Sequence, residues 1–258
     1  ETSFSSKGEN DEVSYSDQWL FAPDVQRFGD TFYLYYCLPS SLVKGYSCEG
    51  VATSKSPEGP FKNGQPIDIG KYNEIDPAVF VDDDGQAYYI WGQFSAKIAK
   101  LNPDRVSIDL ESVNDTVLTE KEHFFHEGAF MTKRNGLYYL VYADVSRGGA
   151  PTSIGYATSK LPMGPYTYGG VIIDNKYCDP SVWNNHGSIT KFKDKWYVFY
   201  HRSTNNSVKM RKACVEPITF REDGSIIETQ MTSQGAGKPL NALERIEARR
   251  ACMLFGNV

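Results

Sequence analysis

Long apolar runs are missing from this chain. Nothing in its 258 residues is long and uninterrupted enough to span a bilayer as a helix. The opening stretch, Glu1 to Asp17, is polar and has none of the layout of a signal peptide. No basic block is present to suggest nucleic acid, and the net charge of -5 comes from interspersed acids and bases. Cysteine is sparse. The five residues Cys37, Cys48, Cys178, Cys214 and Cys252 form no Cys-x-x-Cys pair and no zinc spacing, and their odd number prevents complete internal pairing. A bridge from Cys37 to Cys48 across a hairpin is one option, and free, buried thiols are the default expectation. Convincing helical periodicity is also lacking. The best window, 240–250, lies outside the repeats described below. These absences leave a β-rich domain of ordinary charge, large enough to bury a substantial core.

Aromatic residues are plentiful, at 14% with 17 tyrosines and four tryptophans. Strands favour such residues, and most of them are expected to pack a core, although the same rings suit stacking on sugars. Residues 73–90 read as one hairpin. An apolar run from Ala78 to Val81 follows Asp76-Pro77, then Asp82-Asp83-Asp84-Gly85 turns the chain into Ala87 to Trp91. The same layout recurs. Thr31 to Tyr36 follows a turn at Gly29-Asp30, Leu137 to Tyr142 follows Arg134-Asn135-Gly136, and Lys195 to Tyr200 follows Lys193-Asp194. The corresponding tyrosines Tyr33, Tyr89, Tyr139 and Tyr197 lie 56, 50 and 58 residues apart. A second repeat agrees with the first, since residues 50–61 (GVATSKSPEGPF) match residues 155–166 (GYATSKLPMGPY). A period of about this length, with several strands in each copy, predicts β-propeller blades. The polar stretch 1–16 reads as a loop, residues 208–215 as a strand of the last blade with a further hairpin from 216 to 228, and 234–241 as a linker.

The innermost strands of a propeller surround its axis, so residues at equivalent strand entrances meet there. Here those residues are Ala22 with Asp24 just beyond, Asp76, Glu127 and His186. Polar strand entrances are common simply because they leave the core, and Asp-Pro and His-Gly are ordinary turn pairs. Glu127 stands out because Phe125, His126, Gly128 and Phe130 surround it, and apolar company of that kind favours a protonated carboxyl. Two carboxyl groups and an imidazole at one end of a channel point to glycoside hydrolysis. One carboxylic acid protonates the leaving oxygen while a base activates water on the opposite face of the sugar. Phe21, Asp24, Trp91, Trp183 and Arg202 are the candidate substrate contacts. Trp19 and Phe94 are further candidates of the same kind.

Four stretches in order carry a family resemblance: Phe21-Ala22-Pro23-Asp24-Val25, Ile75-Asp76-Pro77 with Asp82-Asp83-Asp84-Gly85, Glu127-Gly128-Ala129-Phe130, and Asn185-His186-Gly187-Ser188. The chain resembles glycoside hydrolase family 43, the five-bladed β-propeller arabinofuranosidases and xylosidases, over residues 18–235. The resemblance implies an all-β, five-bladed type of fold. It implies inverting release of terminal α-L-arabinofuranosyl or β-D-xylosyl residues from arabinoxylan or arabinan, with Glu127 as general acid and Asp76 as the carboxylate that orients it and tunes its pKa. His186 matches a histidine near the axis that in many members lies beside a hydrated calcium ion. One calcium ion, no organic cofactor, an oligo- or polysaccharide partner, no nucleic acid and no membrane are therefore expected. A secreted or periplasmic location is expected too. The family's general base is an Asp on a blade upstream of the Ala-Pro-Asp motif. Asp11 and Asp17 do not match it, so the base is unassigned and the first blade is expected to be missing or incomplete. The alternative is a glycan-binding propeller without the base. Residues 1–235 are read as the propeller, and 236–258 as a linker and the start of a carbohydrate-binding β-sandwich.

Overall fold

A computed structural model describes residues 3–16, 18–38, 48–148, 152–175, 185–204, 207–232 and 235–237. The described strands form four separate four-stranded antiparallel sheets, each a meander in sequence order. Blade 1 contains β1 (Phe21–Phe28), β2 (Thr31–Cys37), β3 (Glu49–Ser54) and β4 (Lys62–Pro66). Blade 2 contains β5 (Ala78–Val81), β6 (Ala87–Trp91), β7 (Ser95–Leu101) and β8 (Asn114–Thr119). Blade 3 contains β9 (Phe125–Arg134), β10 (Leu137–Asp144), β11 (Ser153–Ser159) and β12 (Thr167–Ile173). Blade 4 contains β13 (Ser188–Phe192), β14 (Lys195–Thr204), β15 (Ser207–Phe220) and β16 (Ile226–Ile227). The four sheets correspond to the four motif copies, and the fold is an all-β propeller.

The core lies between blades. Blade 1 meets blade 2 through Tyr35, Val51, Val79, Tyr89 and Trp91. Blade 2 meets blade 3 through Ile90, Ile98, Met131 and Leu140. Blade 3 meets blade 4 through Tyr139, Tyr156, Val198 and Tyr200. A middle blade is thus covered on both faces. That is why β6 and β10 are buried almost throughout and do not alternate. Polar clamps join the rims as well: the Asp82 carboxylate accepts from Lys133 Nζ at 2.6 Å and from Tyr138 Oη at 2.5 Å.

The second repeat is structural. Ser54 and Ser159 each accept, through Oγ, from the backbone N–H two residues on. Gly59 and Gly164 follow at φ +88° and +87°, a region that glycine enters without penalty. The described termini depart from expectation in two ways. Residues 208–215 and 216–220 join into the single strand β15, with Pro217 where only Thr219 and Phe220 pair onward to β16. The stretch expected as a loop is irregular but packed. Phe4, Val13, Tyr15 and Leu20 cover the face of blade 1 made by Leu34, Tyr36, Ala52 and Phe61. Tyr15 and Tyr36 share a hydroxyl hydrogen bond of 2.8 Å, and Phe61 N donates to Ser3 O at 2.7 Å. Cys37 and Cys48 are free and buried, as the default expectation has it, and Cys178 and Cys252 lie outside the described residues. Of the expected linker and sandwich start, 236–258, only residues 236 and 237 are described.

Candidate functional site

Asp76 is held in a conformation few side chains adopt. It sits at φ +66°, just before Pro77 and β5, and is 7% exposed. A left-handed backbone at a non-glycine residue costs about 1–2 kcal/mol, and such strain concentrates at functional sites. The carboxylate accepts from the backbone N–H of Gly128 and from the thiol of Cys37, with 3.9 Å from Sγ to Oδ1. Burial pushes the Asp76 carboxyl up to about 6. His186 pulls it down and the neighbouring Glu127 pushes it up, while the bonds from Cys37 and Gly128 pull it down.

Glu127 lies inside β9 rather than at its entrance, paired with Ala143 where the β9–β10 register shifts on both sides. Irregular pairing of this kind re-aims a side chain, and it turns Glu127 inward at 5% exposure. The Gln93 side chain donates through Nε2 to Glu127 Oε2 at 2.9 Å. Gln93 is held in turn, because its backbone N–H donates to Glu74 Oε2 at 2.8 Å. The same Glu74 oxygen pairs with the buried Lys97 Nζ at 2.8 Å. The turn ahead of Gln93 needs Gly92, at φ +126°, because a Cβ there would stand 2.2 Å from Ser95 O.

His186 precedes β13. Its N–H donates to Asn185 Oδ1 at 3.0 Å, and that oxygen also accepts from His201 N at 3.2 Å. The imidazole lies flat against Gly128, where a Cβ would come within 3.1 Å of the ring. Gly128 thus joins three motif copies, with Asp76 on its N–H and His186 on its Cα. We expect Gly128→Ala, with its ring clash and its φ of +66°, to lower the urea-unfolding free energy by about 2 kcal/mol. Wild-type stability would show that the His186 ring moves away at no cost.

An axial cavity of about 500 Å³ is lined by Asp24, Pro77, Ala129, His186, His201 and Arg211 among others, with residues from all four blades. That volume suits a sugar-sized ligand. Burial, with help from Arg211 and His186, lowers the His201 imidazole to about 4 and keeps it neutral. Burial raises the Asp24 carboxyl, and its main compensation is the bond that Oδ2 accepts from Val79 N at 2.8 Å.

The structure therefore brings Asp76, Glu127 and His186 together, and His186 and Asp24 line the axial cavity next to them. Phe21 is 52% exposed at the start of β1, and Arg202 is buried near the end of β14. Phe94 is 55% exposed, with its ring edge-on to His126 at 5.2 Å. Trp91 is a correction. It is fully buried between blades 1 and 2 and its Nε1 donates to Tyr72 O at 2.8 Å, so it packs the core and presents no face to a sugar. Trp183 and Asp17 lie outside the described residues. The Asp11 carboxylate accepts from Val13 N at 2.7 Å and serves a local turn. Sequence reasoning missed Gln93, Cys37 and the Glu74–Lys97 pair. The one available signal was Gly92 immediately after an aromatic strand.

Among the described residues, no three His, Cys, Asp or Glu side chains converge to hold a metal. Calcium prefers six to eight oxygen ligands, and the side chains around His186 do not supply that cage.

Three comparisons place this geometry. A xylosidase/arabinosidase of Thermoclostridium stercorarium is 32% identical over 92% of the chain and 56% of its own length. An arabinoxylan arabinofuranohydrolase of Paenibacillus polymyxa is 32% identical over 85% of the chain and 39% of its own length. The chain thus spans about half the length of these relatives or less. A β-xylosidase/α-arabinofuranosidase from a compost metagenome, solved with xylotriose in a calcium-free form, superposes with a TM-score of 0.69. It is 32% identical, and the match covers 82% of this chain and 73% of that one. The family model of the glycosyl hydrolases family 43 matches residues 2–226. With that match over most of its length, and with Asp76, Glu127 and His186 brought together from three blades, the chain belongs to glycosyl hydrolase family 43.

Proposed function

We propose that the chain acts in an inverting glycosidase that releases terminal α-L-arabinofuranosyl or β-D-xylosyl residues from arabinoxylan or arabinan. The observation that carries this reading is the pairing of two buried carboxyl groups, Asp76 and Glu127, from different blades beside a sugar-sized cavity. Glu127 donates the proton to the glycosidic oxygen. Asp76 stands beside it as the carboxylate that orients the acid. Gln93 holds one Glu127 oxygen as an acceptor, which leaves the other to carry the proton. Water attacks from the opposite face. Asp24 is a polar contact on the cavity, and on the same reading the exposed Phe21 ring serves for stacking and Arg202 as a polar contact. A polymeric plant substrate places the action outside the cell or in the periplasm. A calcium ion near His186 would be held mainly through water, and it supplies charge near the axis when bound.

The test is proton NMR of the sugar first released from xylobiose and from an α-1,5-arabinobiose. An inverted anomer is expected. A retained anomer overturns the assignment, and sugar binding by calorimetry without turnover replaces it with a glycan-binding role.

A further inference from the structure

Behind Asp76 lies a second buried carboxyl group that the reaction does not use. Glu49, at the start of β3, is fully buried. Its register partner on β2 is Cys37, which pairs in turn with Phe21 on β1. Residues directly opposite in an antiparallel pair point to the same face with Cβ atoms about 5 Å apart, so Glu49 stands beside the thiol that touches Asp76. From blade 2, Tyr89 Oη donates to Glu49 Oε2 at 2.9 Å. Cys37 is also fully buried, and its thiol has two acceptors in reach, Asp76 Oδ1 at 3.9 Å and Phe21 O at 3.7 Å. An acid in an apolar sheet is costly unless it is neutral and hydrogen-bonded. The other groups facing Asp76 are Glu127 and His186, with Cys48 bonded to Glu74 O just beyond.

We propose that Cys37 and Glu49 are a buried positioning pair for Asp76: the thiol donates to the Asp76 carboxylate, and Glu49 stands behind it as a neutral acid held by Tyr89. Neutrality of Glu49 is what allows Asp76 to ionise at all, because a second charge so close would repel the first. Burial raises both the Glu49 carboxyl and the Cys37 thiol above their ordinary values, in agreement with this arrangement. The inference rests on Asp76 serving the acid, but the arrangement is readable without turnover.

The experiment titrates Asp76 by carbon NMR of protein labelled at the aspartate carboxyl carbon. Cys37→Ala is expected to raise the Asp76 midpoint by about one pH unit, because the donor is lost. Cys37→Ser, which restores a donor, brings the midpoint back. Glu49→Gln, which keeps the shape and the neutrality, leaves it unchanged. An unmoved midpoint in Cys37→Ala overturns the thiol's role. A fall in Glu49→Gln overturns the neutral acid, since it would mean that a charge had been removed. Should the variants not fold, the wild-type thiol stretch in the infrared decides. It is expected to rise in frequency as Asp76 takes up its proton, and a fixed band refutes the contact. Hydrolysis is no part of these readings, so an inactive chain with a responsive Asp76 would sink the glycosidase assignment and leave this pair standing.

Discussion

Replacing Glu127 with Gln lowers kcat/KM by about 10²–10⁴-fold on xylobiose or arabinobiose, the usual contribution of one general acid. A 4-nitrophenyl glycoside loses far less, because its leaving group departs without help from a proton. The two substrates separate lost chemistry from lost folding, since a misfolded variant fails on both. Glu127→Gln retains the acceptor that Gln93 needs, so the neighbouring turn is expected to stay in place. Equal rates for variant and wild type on the poor leaving group would mean that the proton comes from elsewhere in the cavity.

Asp76→Asn is expected to stabilise the protein while it removes function. Folded Asp76 titrates at about 6 against an ordinary 3.8, and at 1.36 kcal/mol per unit this corresponds to about 3 kcal/mol. The sign follows from proton binding. A carboxyl raised on folding binds its proton more tightly in the native state. It therefore burdens stability in no way below about 3.8, and increasingly so as pH rises through about 6. Asparagine is neutral throughout, tolerates the left-handed backbone and still accepts from Gly128 N–H. The gain should be near zero at pH 3.5 and approach about 3 kcal/mol at pH 7.5, read from urea unfolding at both values. A gain independent of pH would show that packing or backbone strain, not charge, is what the substitution relieves.

The blades were legible because their signals are local. Asp-Gly and Asn-Gly turns, the aromatic strand that follows each of them, and the Ser-Lys to Gly-Pro stretch all act within a few residues of themselves. Asp76, Glu127 and His186 were legible for a related reason, since each recurs at nearly the same place in its repeat. Trp91 packs the core instead of meeting a sugar because it lies at the end of β6, between blades 1 and 2. Blade 2 is covered on both faces, so even the last residue of β6 is core. Glu49 gave no warning, because an acid at the start of a strand is usually solvated. The β2–β3 register sets it next to Cys37, and only the stacking of blade 1 on blade 2 brings Tyr89 onto it. Gln93 meets Glu127 across another such boundary. The polar look of residues 3–16 concealed Phe4, Val13 and Tyr15, which follow no strand or helix period and fit only the face they cover.

That cover bears on how the molecule behaves in company. An exposed sheet face carrying Leu34, Tyr36 and Phe61 would invite another sheet to stack on it. Here an irregular ribbon does the shielding, fastened by the Tyr15–Tyr36 hydroxyl pair and the Ser3–Phe61 bond. It presents no row of free strand hydrogen bonds to a visitor in the way a strand edge does. Any domain that approached this face would have to peel the ribbon away first. The ribbon therefore works as a competitive guard, and amide exchange at Phe61, whose N–H is held by Ser3, would report each moment it lifts.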